Sequence, residues 1–593
     1  MQAPTWSLEP IFPGGVGGEE FTAALNAFGE SVDGLVARRG DAAHLDERSV
    51  ALIRDAYALE AMGHELHSFA NCLASADTSA QAPRLAAARC IDHYMRMEKV
   101  WLDISWALID APEATREGFL EHPDIAMHRP ALQHMIDGKR LELDRPLQEL
   151  RTELEREALH NWGTLYQALS GNLQAEFAPP GEEPRMVGMA SLSSWMRGHA
   201  DESVRRGAFE AYTTAWKTVQ VPCSIALGSI TGERQTILDR CGADPLDPTL
   251  HRNRLQRETL EALLAAARAA QPRLQTYLAR KAQLIGKSKV DFWDLSAPLT
   301  SSESSSLSWD DATELITTAF SRFANPISAF AQRALEQRWV EAERRDHKAQ
   351  GGYCTRFPQS RVSRIYMTYG ETLDSALTLA HELGHAYHNE VLFRTPHISR
   401  HKVTSALAET ASTFCEAIVR DHAIAMAEDR DQRIAMLDQQ LQDAVVFLMN
   451  IPARFDFERE LYVLRRQGSF DPAVLAERME AIQRDHYGPI LGAADPMFWA
   501  SKLHYYISHF GFYNWPYSFG YLFSGALYAR ARDAGGPFID TWDRLLTATG
   551  WQDTEGLVRD FLDEDVTQQA FWDGAVTEAL APLDEFLRLT EAS

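Results

Sequence analysis

Residues 378–390 read TLAHELGHAYHNE, and this stretch contains the pattern H-E-x-x-H. His381 and His385 are four residues apart, so both imidazoles lie on the same face of an α-helix. Two imidazoles placed in this way can bind one Zn²⁺ ion, and Glu382 beside them can act as a general base toward water. Apolar residues recur at helical spacing before the pattern, and residues 371–390 contain no proline. The stretch therefore predicts a helix that carries part of a zinc site.

Packing explains two further features of this stretch, and spacing excludes a second site of the same kind. Gly384 lies inside the predicted helix, where glycine costs about 1 kcal/mol relative to alanine, so we expect another backbone or a substrate to approach it closely. His388 follows His385 by only three residues, and we expect it to support helix packing and not to bind the metal. Residues 63–67 read GHELH, with histidines three residues apart. That segment fits an ordinary amphipathic helix over residues 47–74.

The third ligand of the predicted site must come from elsewhere in the chain. A catalytic zinc ion normally has three protein ligands and a fourth position open to water. Glu409 is the best candidate, because it stands 28 residues after His381 among small residues of a helical pattern over residues 404–420. A carboxylate on so apolar a face is costly unless it is paired or bound to metal. Glu416 is predicted on the same face, where it can accept a hydrogen bond from a ligand histidine.

The composition excludes several classes of partner. The 593 residues include 83 acidic and 58 basic ones, for a net charge of −25, and form no basic stripe that would bind nucleic acid or an anionic membrane. Residues 503–529 contain no charged side chain, but their tyrosines, serines and histidines predict a buried cleft wall and not a membrane helix. The first 15 residues show no signal peptide, so a cytoplasmic location is expected. Six cysteines form no C-x-x-C pair and predict free thiols: Cys72, Cys90, Cys223, Cys241, Cys354 and Cys415.

Helical spacing dominates the rest of the chain, and strand patterns are scarce. Helical patterns cover residues 46–74, 84–110, 147–176, 206–239, 257–285, 310–345 and 432–466. The best strand pattern is RVSRIYMTY at residues 361–369, which is rich in β-branched and aromatic residues. Proline and glycine at residues 179–181 mark a break. We therefore predict a mainly α fold, with an N-terminal helical domain at residues 1–185 and a catalytic domain that holds the motif at residues 186–593.

Three segments of the chain resemble the oligoendopeptidase F branch of the thimet oligopeptidase family of zinc metallopeptidases. They are GGYCTRFPQSRVSRIYMTYGETLDSALTLAHELGHAYH from residue 351, LAETASTFCEAI from residue 407 and FYNWPYSFGYLFS from residue 512. The resemblance covers about residues 190–580. It implies two helical halves that enclose a deep channel, with a very small β-sheet near the zinc helix. Such a channel would restrict the substrates to short unfolded peptides.

The resemblance also implies roles for particular residues. His381, His385 and Glu409 would hold one zinc ion per chain, and Glu382 would be the general base. In the family, a histidine and tyrosines from the C-terminal segment stabilise the tetrahedral oxyanion. The candidates for these roles are His504, His509, Tyr513, Tyr517 and Tyr521. His504 in KLHYY resembles the histidine-aromatic pair of the oligoendopeptidase F branch, whereas His509 is near the tyrosines as in thimet-type members; we favour His504, and the choice stays open.

Together these features predict a zinc-dependent endopeptidase that hydrolyses internal amide bonds of short peptides, with no nucleic-acid or membrane partner. The alternative is a zinc carboxypeptidase of similar helical fold, which would need a cationic group to hold the free C-terminus of its substrate. A non-catalytic peptide-binding scaffold is disfavoured, because Glu382 is present. We also expect the strand at residues 361–369 to bind an extended substrate at its edge. The sequence does not predict an oligomeric state.

Overall fold

The fold is mainly helical, as the sequence predicts, with 73% of the residues in helices. The computed structural model describes residues 3–299, 306–349, 351–427, 429–468, 470–534 and 537–591. In chain order its helices are α1 Glu19–Ala37, α2 Glu47–Ala76, α3 Gln81–Asp110, α4 Glu113–Leu120, α5 Arg129–Gly138, α6 Arg145–Glu155, α7 Asn161–Asn172, α8 Met189–Gly198, α9 Glu202–Thr218, α10 Gln220–Cys241, α11 Asp247–Arg252, α12 Arg257–Leu284, α13 Trp309–Phe323, α14 Asn325–Glu336, α15 Leu373–Leu392, α16 Ser405–Ala408, α17 Thr410–Met426, α18 Arg430–Val445, α19 Ile451–Gln467, α20 Pro472–Tyr487, α21 Phe498–Ser501, α22 Trp515–Ala534, α23 Phe538–Ala548, α24 Thr554–Leu562, α25 Gln569–Ala579 and α26 Pro582–Thr590. The strands are β1 Gln174–Phe177, β2 Arg185–Gly188, β3 Val340–Glu341, β4 Tyr353–Phe357 and β5 Val362–Tyr366.

The chain forms two compact units, each assembled from three segments. Unit 1 consists of Met1–Lys139, Ser304–Ala425 and Ser524–Asp563. Unit 2 consists of Arg140–Glu303, Met426–Phe523 and Glu564–Ser593. Both units draw on residues from either side of the predicted boundary at residue 185, so these units are not the two predicted ranges. The division into functional domains at residues 1–185 and 186–593 stays a prediction.

The core of unit 1 is built on its two longest helices. Helices α2 and α3 pack against each other and against α1. Their buried faces share apolar side chains such as Phe28, Phe69 and Val100, at the helical spacing that the sequence shows. The N-terminus of α2 is capped by Asp46, whose side chain accepts a hydrogen bond from the backbone N–H of Arg48 at 2.9 Å.

A three-stranded sheet in unit 1 lies against α15, the helix that carries the H-E-x-x-H pattern. Its strand order is β3-β5-β4, with β3 parallel and β4 antiparallel to β5. The strand predicted at residues 361–369 is therefore the shorter strand β5, and it is the central strand. Because β5 has a neighbour on both sides, the prediction that its edge binds an extended substrate is wrong. Strand β4 forms an outer edge of this sheet.

The excluded segment at residues 63–67 has a structural role in unit 1. It lies within α2, and Glu65 is almost fully buried. The Glu65 carboxylate accepts hydrogen bonds from the backbone N–H groups of Gln359 and Ser360, at 3.0 and 3.1 Å, and from the Ser360 hydroxyl. These two residues lie in the turn between β4 and β5, which spans residues 358–361. Glu65 therefore holds the hairpin next to α15, and the segment is helical as predicted.

Unit 2 has its own core and departs from the predicted helices in three places, one of which is a π-helical turn at Val446–Asn450 within the pattern predicted over residues 432–466. Leu227, Leu461 and Trp499 belong to this core. The helical pattern predicted over residues 147–176 is interrupted by a π-helical turn at Arg156–His160, and its end forms β1, which pairs antiparallel with β2. The single helical pattern predicted over residues 206–239 is divided in the structure into two helices, α9 and α10. Among the helices described, none combines the length and apolar character needed to cross a membrane.

Candidate metal centre

Helix α15 presents the H-E-x-x-H pattern as predicted, and Gly384 explains how a second helix comes close to it. The helix begins after Thr372, whose side chain accepts a hydrogen bond from the backbone N–H of Ser375 at 3.2 Å. A Cβ atom at Gly384 would lie 2.5 Å from the carbonyl oxygen of Ala411 and 2.6 Å from Cα of Ser412. The backbone of α17 thus occupies the space of a side chain, which is the close approach that the sequence predicts.

His381, His385 and Glu409 form one group of three ligand atoms. Each residue offers one atom, and the three atoms lie within 4.8 Å of one another. Glu409 Oε2 is 3.2 Å from His381 Nε2 and 3.5 Å from His385 Nε2. Ligands bonded to a tetrahedral zinc ion at about 2.0–2.2 Å are about 3.4 Å apart, so this spacing suits such an ion. The structure therefore brings together the three residues that the sequence proposes.

Glu409 reaches this group from a break between two helices. The prediction placed it inside a continuous helix over residues 404–420, whereas it follows the end of α16 and precedes α17. At this break the Ser524 hydroxyl donates to the backbone carbonyl of Glu409, at 3.1 Å. The Ser412 hydroxyl donates to Glu409 Oε2, at 2.7 Å. The continuous helix was wrong at this residue, and the break, held by side chains, orients the carboxylate.

Glu416 and Arg420 support His381 from the side opposite the ligand group. Nδ1 of His381 is 3.2 Å from Glu416 Oε2, and because an ionised carboxylate only accepts, Nδ1 is the donor. The other oxygen of Glu416 forms an ion pair with Arg420. Burial opposes a charge on His381, but its hydrogen bonds with Glu409 and Glu416 raise its pKa to about 10. The carboxylates around this histidine thus create a negative environment that favours a bound cation.

Glu382 stands next to the ligand histidines without a partner for one of its oxygens. Its side chain is buried, and Oε2 has no hydrogen-bond partner among the described residues. Burial raises the pKa of Glu382 to about 7; the charge of His381 acts against this rise and that of Glu409 adds to it. A carboxyl group with a pKa near neutrality can both accept and return a proton. The unsatisfied oxygen and the adjacent ligand atoms fit a site for a metal ion and a reacting water.

A cavity of about 540 Å³ within unit 1 opens onto these groups. The first strand of the hairpin forms one wall, because residues from Gly352 to Arg356 line the cavity. His381, Glu382, His385 and Glu409 line it as well, as does Lys402. A cavity of this size is within the range of small-ligand sites. The outer strand β4 and the candidate ligands therefore share one cavity.

The predicted residues near the C-terminus lie in unit 2 and separate into three groups. The His504 ring is 5.2 Å from that of Tyr513 and 6.2 Å from that of Tyr517, between centroids. The ring of His509 instead lies 4.2 Å from that of His160, and the ring of Tyr521 lies 4.5 Å from that of Phe447. Burial, then the charges of Arg454 and Lys502, lower the pKa of His504 to about 4, so this ring is neutral at pH 7. His504 is thus the histidine that shares a cluster with two of the tyrosines.

Two residues of the candidate metal centre, Ser412 and Arg420, were not predicted from the sequence, whereas the packing role of His388 was. Neither Ser412 nor Arg420 belongs to a recognisable motif. The four-residue spacing between Glu416 and Arg420, which favours an ion pair on a helix, could have indicated Arg420. His388 is buried, and its Nε2 is 2.8 Å from the Thr549 hydroxyl and 3.2 Å from the Leu546 carbonyl. It joins α15 to α23, as expected of a packing residue.

The fold and this site define a class. The protein is a mainly helical chain in which the H-E-x-x-H helix and a glutamate in the break before α17 form a candidate centre for one metal ion. Beside it lies a buried carboxylate that can transfer protons. Hydrolases that use a metal and a general base combine these elements.

Comparison with known proteins gives the family. The model of peptidase family M3 matches residues 196–576, and the chain belongs to this family of peptidases. It is similar to oligopeptidase PepF of Bacillus subtilis (strain 168), with 21% identity over 92% of this chain and 81% of that protein. It is also similar to group B oligopeptidase PepB of Streptococcus agalactiae serotype III (strain NEM316), with 24% identity over 48% of this chain and 47% of that protein. In fold it resembles the crystal structure of oligoendopeptidase-F from Enterococcus faecium, with a TM-score of 0.72, 16% identity and coverage of 96% of this chain and 99% of that chain.

Proposed function

We propose that this protein is a zinc-dependent endopeptidase that hydrolyses internal amide bonds of short unfolded peptides. The observation that carries the proposal is the spacing of the ligand atoms of His381, His385 and Glu409, with the Glu382 carboxylate beside them. Membership of peptidase family M3 supports the choice of reaction. The names of similar proteins, oligopeptidase PepF and oligoendopeptidase-F, support short peptides as the substrate class.

In the proposed reaction the side chains hold the substrate and move its protons. When bound by the two histidines and Glu409, zinc supplies the Lewis acidity that polarises the scissile carbonyl and makes water a better nucleophile at neutral pH. Glu382 accepts a proton from the attacking water and delivers it to the leaving amine. Its raised pKa suits both transfers. The hydrogen bond from His381 Nδ1 to Glu416 keeps Nε2 of the same ring directed at Glu409.

The remaining parts of the proposal concern the peptide. Strand β4, an outer strand that lines the cavity, is proposed to pair with the main chain of an extended substrate. By the family resemblance, His504, Tyr513 and Tyr517 are proposed to donate hydrogen bonds to the oxyanion. A single well-placed donor of this kind lowers a barrier by about 3–4 kcal/mol.

The decisive experiment measures cleavage of quenched fluorescent peptides and the zinc content of Glu382→Gln. We expect this variant to keep one zinc per chain and to lose nearly all activity, because the amide cannot accept the proton of water. Glu390→Gln is a matched control: it makes the same change on α15, at a residue paired with Arg333 at 2.9 Å. Full activity in Glu382→Gln would show that the proposed mechanism is wrong.

The same assay separates the endopeptidase from the alternative carboxypeptidase. Peptides with acetylated N-termini and amidated C-termini should be cut at internal bonds, since the proposed reaction needs neither terminus. A strict requirement for a free C-terminus, with release of single residues, would favour the carboxypeptidase instead.

A further inference from the structure

A second cavity, of about 190 Å³, lies within unit 2 and is rich in arginine. Its lining includes Arg151 from α6, Arg234 from α10 and Arg252 from α11. The segment at residues 508–511, which precedes Tyr513, forms another part of the lining. Three guanidinium groups around so small a cavity contrast with the net charge of −25 of the whole chain.

Two of the three arginines have partners. Nε of Arg151 donates to Glu233 at 2.9 Å, which neutralises that guanidinium. Arg234 donates to the backbone carbonyl of Ile507 and lies near the buried Glu458. Burial raises the pKa of Glu458 to about 7, so at neutral pH its carboxyl carries only part of a negative charge. The charge of Arg234 is therefore incompletely balanced.

Arg252 has no acidic partner in the part of the chain that the structure describes. Its guanidinium stacks over the ring of Phe510, with 4.0 Å from Cζ to the ring centroid. Desolvation, and then the charge of Arg234, lower the pKa of Arg252 to about 10. Arg252 is exposed at the mouth of the cavity, and the two like charges that line it disfavour each other. Among the described residues, none accepts a hydrogen bond from Arg252, so its N–H donors are available to a ligand.

We propose that this cavity binds a small oxyanion, a carboxylate or a phosphate, between Arg234 and Arg252. A planar guanidinium offers two parallel N–H groups that match two oxygens of such an anion. The bound charge would remove the repulsion between the two arginines, and a carboxylate or phosphate group fits within the available volume. The proposal does not depend on the peptidase reaction.

An anion in this cavity would also hold the segment that forms its wall. Within that segment, the Ser508 hydroxyl is 2.9 Å from Nδ1 of His160. The neighbouring ring of His509 lies against that of His160, and Phe510 lies beneath Arg252. The contacts of Arg252 with Phe510 and of Arg234 with the Ile507 carbonyl tie the segment to the arginines, so filling the cavity is expected to stabilise the chain against unfolding.

The test is thermal unfolding of the full chain against inorganic phosphate, at constant ionic strength. Arg252→Gln removes the unpaired charge, and Arg206→Gln is the control, because Arg206 is exposed on α9 and 3.8 Å from Glu210. We expect saturable stabilisation of the wild type and of Arg206→Gln, and at least tenfold weaker phosphate binding in Arg252→Gln. Without phosphate, Arg252→Gln should unfold at the same temperature or higher, because the repulsion from Arg234 is gone.

A further variant and a pair of competitors complete the test. Arg252→Lys keeps the charge but loses the planar pair of donors, so its phosphate affinity should lie between those of the wild type and Arg252→Gln. Displacement of phosphate by N-acetylglycine but not by its amide would identify carboxylates as ligands, whereas no displacement by either would restrict the site to phosphate. The proposal is overturned if the wild type shows no saturable stabilisation or if Arg252→Gln binds phosphate as tightly as the wild type.

Discussion

Substitution of Gly384 by alanine tests the contact that supports the candidate metal centre. The added Cβ would lie 2.5 Å from the Ala411 carbonyl oxygen and 2.6 Å from Cα of Ser412. Ordinary van der Waals contact begins at 3.4 Å, so the two backbones must separate by about 0.9 Å. Neither obstacle is the end of a flexible side chain that could turn away. Helices α15 and α17 must therefore move apart.

The magnitude follows from two opposing effects. Alanine is favoured over glycine within a helix by about 1 kcal/mol. Overpacking costs about 1–3 kcal/mol, and the upper part of this range applies where backbone meets backbone. Gly34 in α1 is the matched control, because a Cβ there meets nothing within 4 Å. Gly34→Ala should gain about 1 kcal/mol in free energy of unfolding, and Gly384→Ala should be about 2–3 kcal/mol less stable than that control.

The same displacement should weaken zinc binding at the candidate metal centre. Glu409 precedes α17 and Glu416 lies within it, so moving this helix by about 0.9 Å changes distances that a metal ion tolerates only to about 0.2 Å. We expect zinc affinity to fall about 10–100-fold in Gly384→Ala, as for residues that orient metal ligands, and to be unchanged in Gly34→Ala. Competition with a chromophoric chelator measures the affinity, and denaturant unfolding measures the stability. Wild-type values for both quantities in Gly384→Ala would refute the reasoning.

Two further predictions concern unit 2. His504→Ala should lower the kcat of peptide cleavage about 10²–10³-fold with little change in zinc content. His509→Ala should keep a kcat near that of the wild type, because of the two histidines only His504 shares a cluster with Tyr513. Equal losses of peptide cleavage in the two variants would contradict the assignment of the oxyanion role to His504. The folded-state pKa of Glu458 is about 7, above the ordinary 4.5, so its contribution to stability is complete below pH 4.5 and is lost as the pH rises through 7. The free energy of unfolding of the wild type should therefore fall by about 3 kcal/mol more between pH 4.5 and 7 than that of Glu458→Gln, whose amide oxygen can still accept the hydrogen bond from the Phe512 N–H. Parallel pH profiles of the two proteins would exclude this effect.

The helix of the metal centre could be predicted from the sequence because its signals are local. Four-residue spacing puts His381 and His385 on one helical face whatever surrounds the helix. The need for a close neighbour at Gly384 also followed from helix propensity alone. The identity of that neighbour, the backbone at Ala411 and Ser412, depends on packing between helices and left no mark in the spacing.

The predictions that failed depend on pairing or on interruptions of a helix. The sequence predicted a strand at residues 361–369 but not its central position in the sheet. Strand order is a property of the whole sheet and cannot be read from one strand. The small residues around Glu409 fit a helix, so the sequence did not predict the break there. The hydroxyl of Ser524, far along the chain, donates a hydrogen bond to the backbone carbonyl of Glu409 at this break. A pattern of residues carries no information about a partner more than a hundred positions away.

The sequence by itself determined the mainly helical class, the H-E-x-x-H helix and Glu409 as the partner for its histidines, because helical periodicity and the cost of a carboxylate among small residues are local properties. Only the tertiary structure decided that β4 is the outer strand at the cavity and that His504 accompanies the tyrosines of unit 2. It alone brought Arg234 and Arg252 to one cavity with the ring of Phe510. Strand order and the convergence of distant charges arise from packing of the whole chain, which no single stretch of residues encodes.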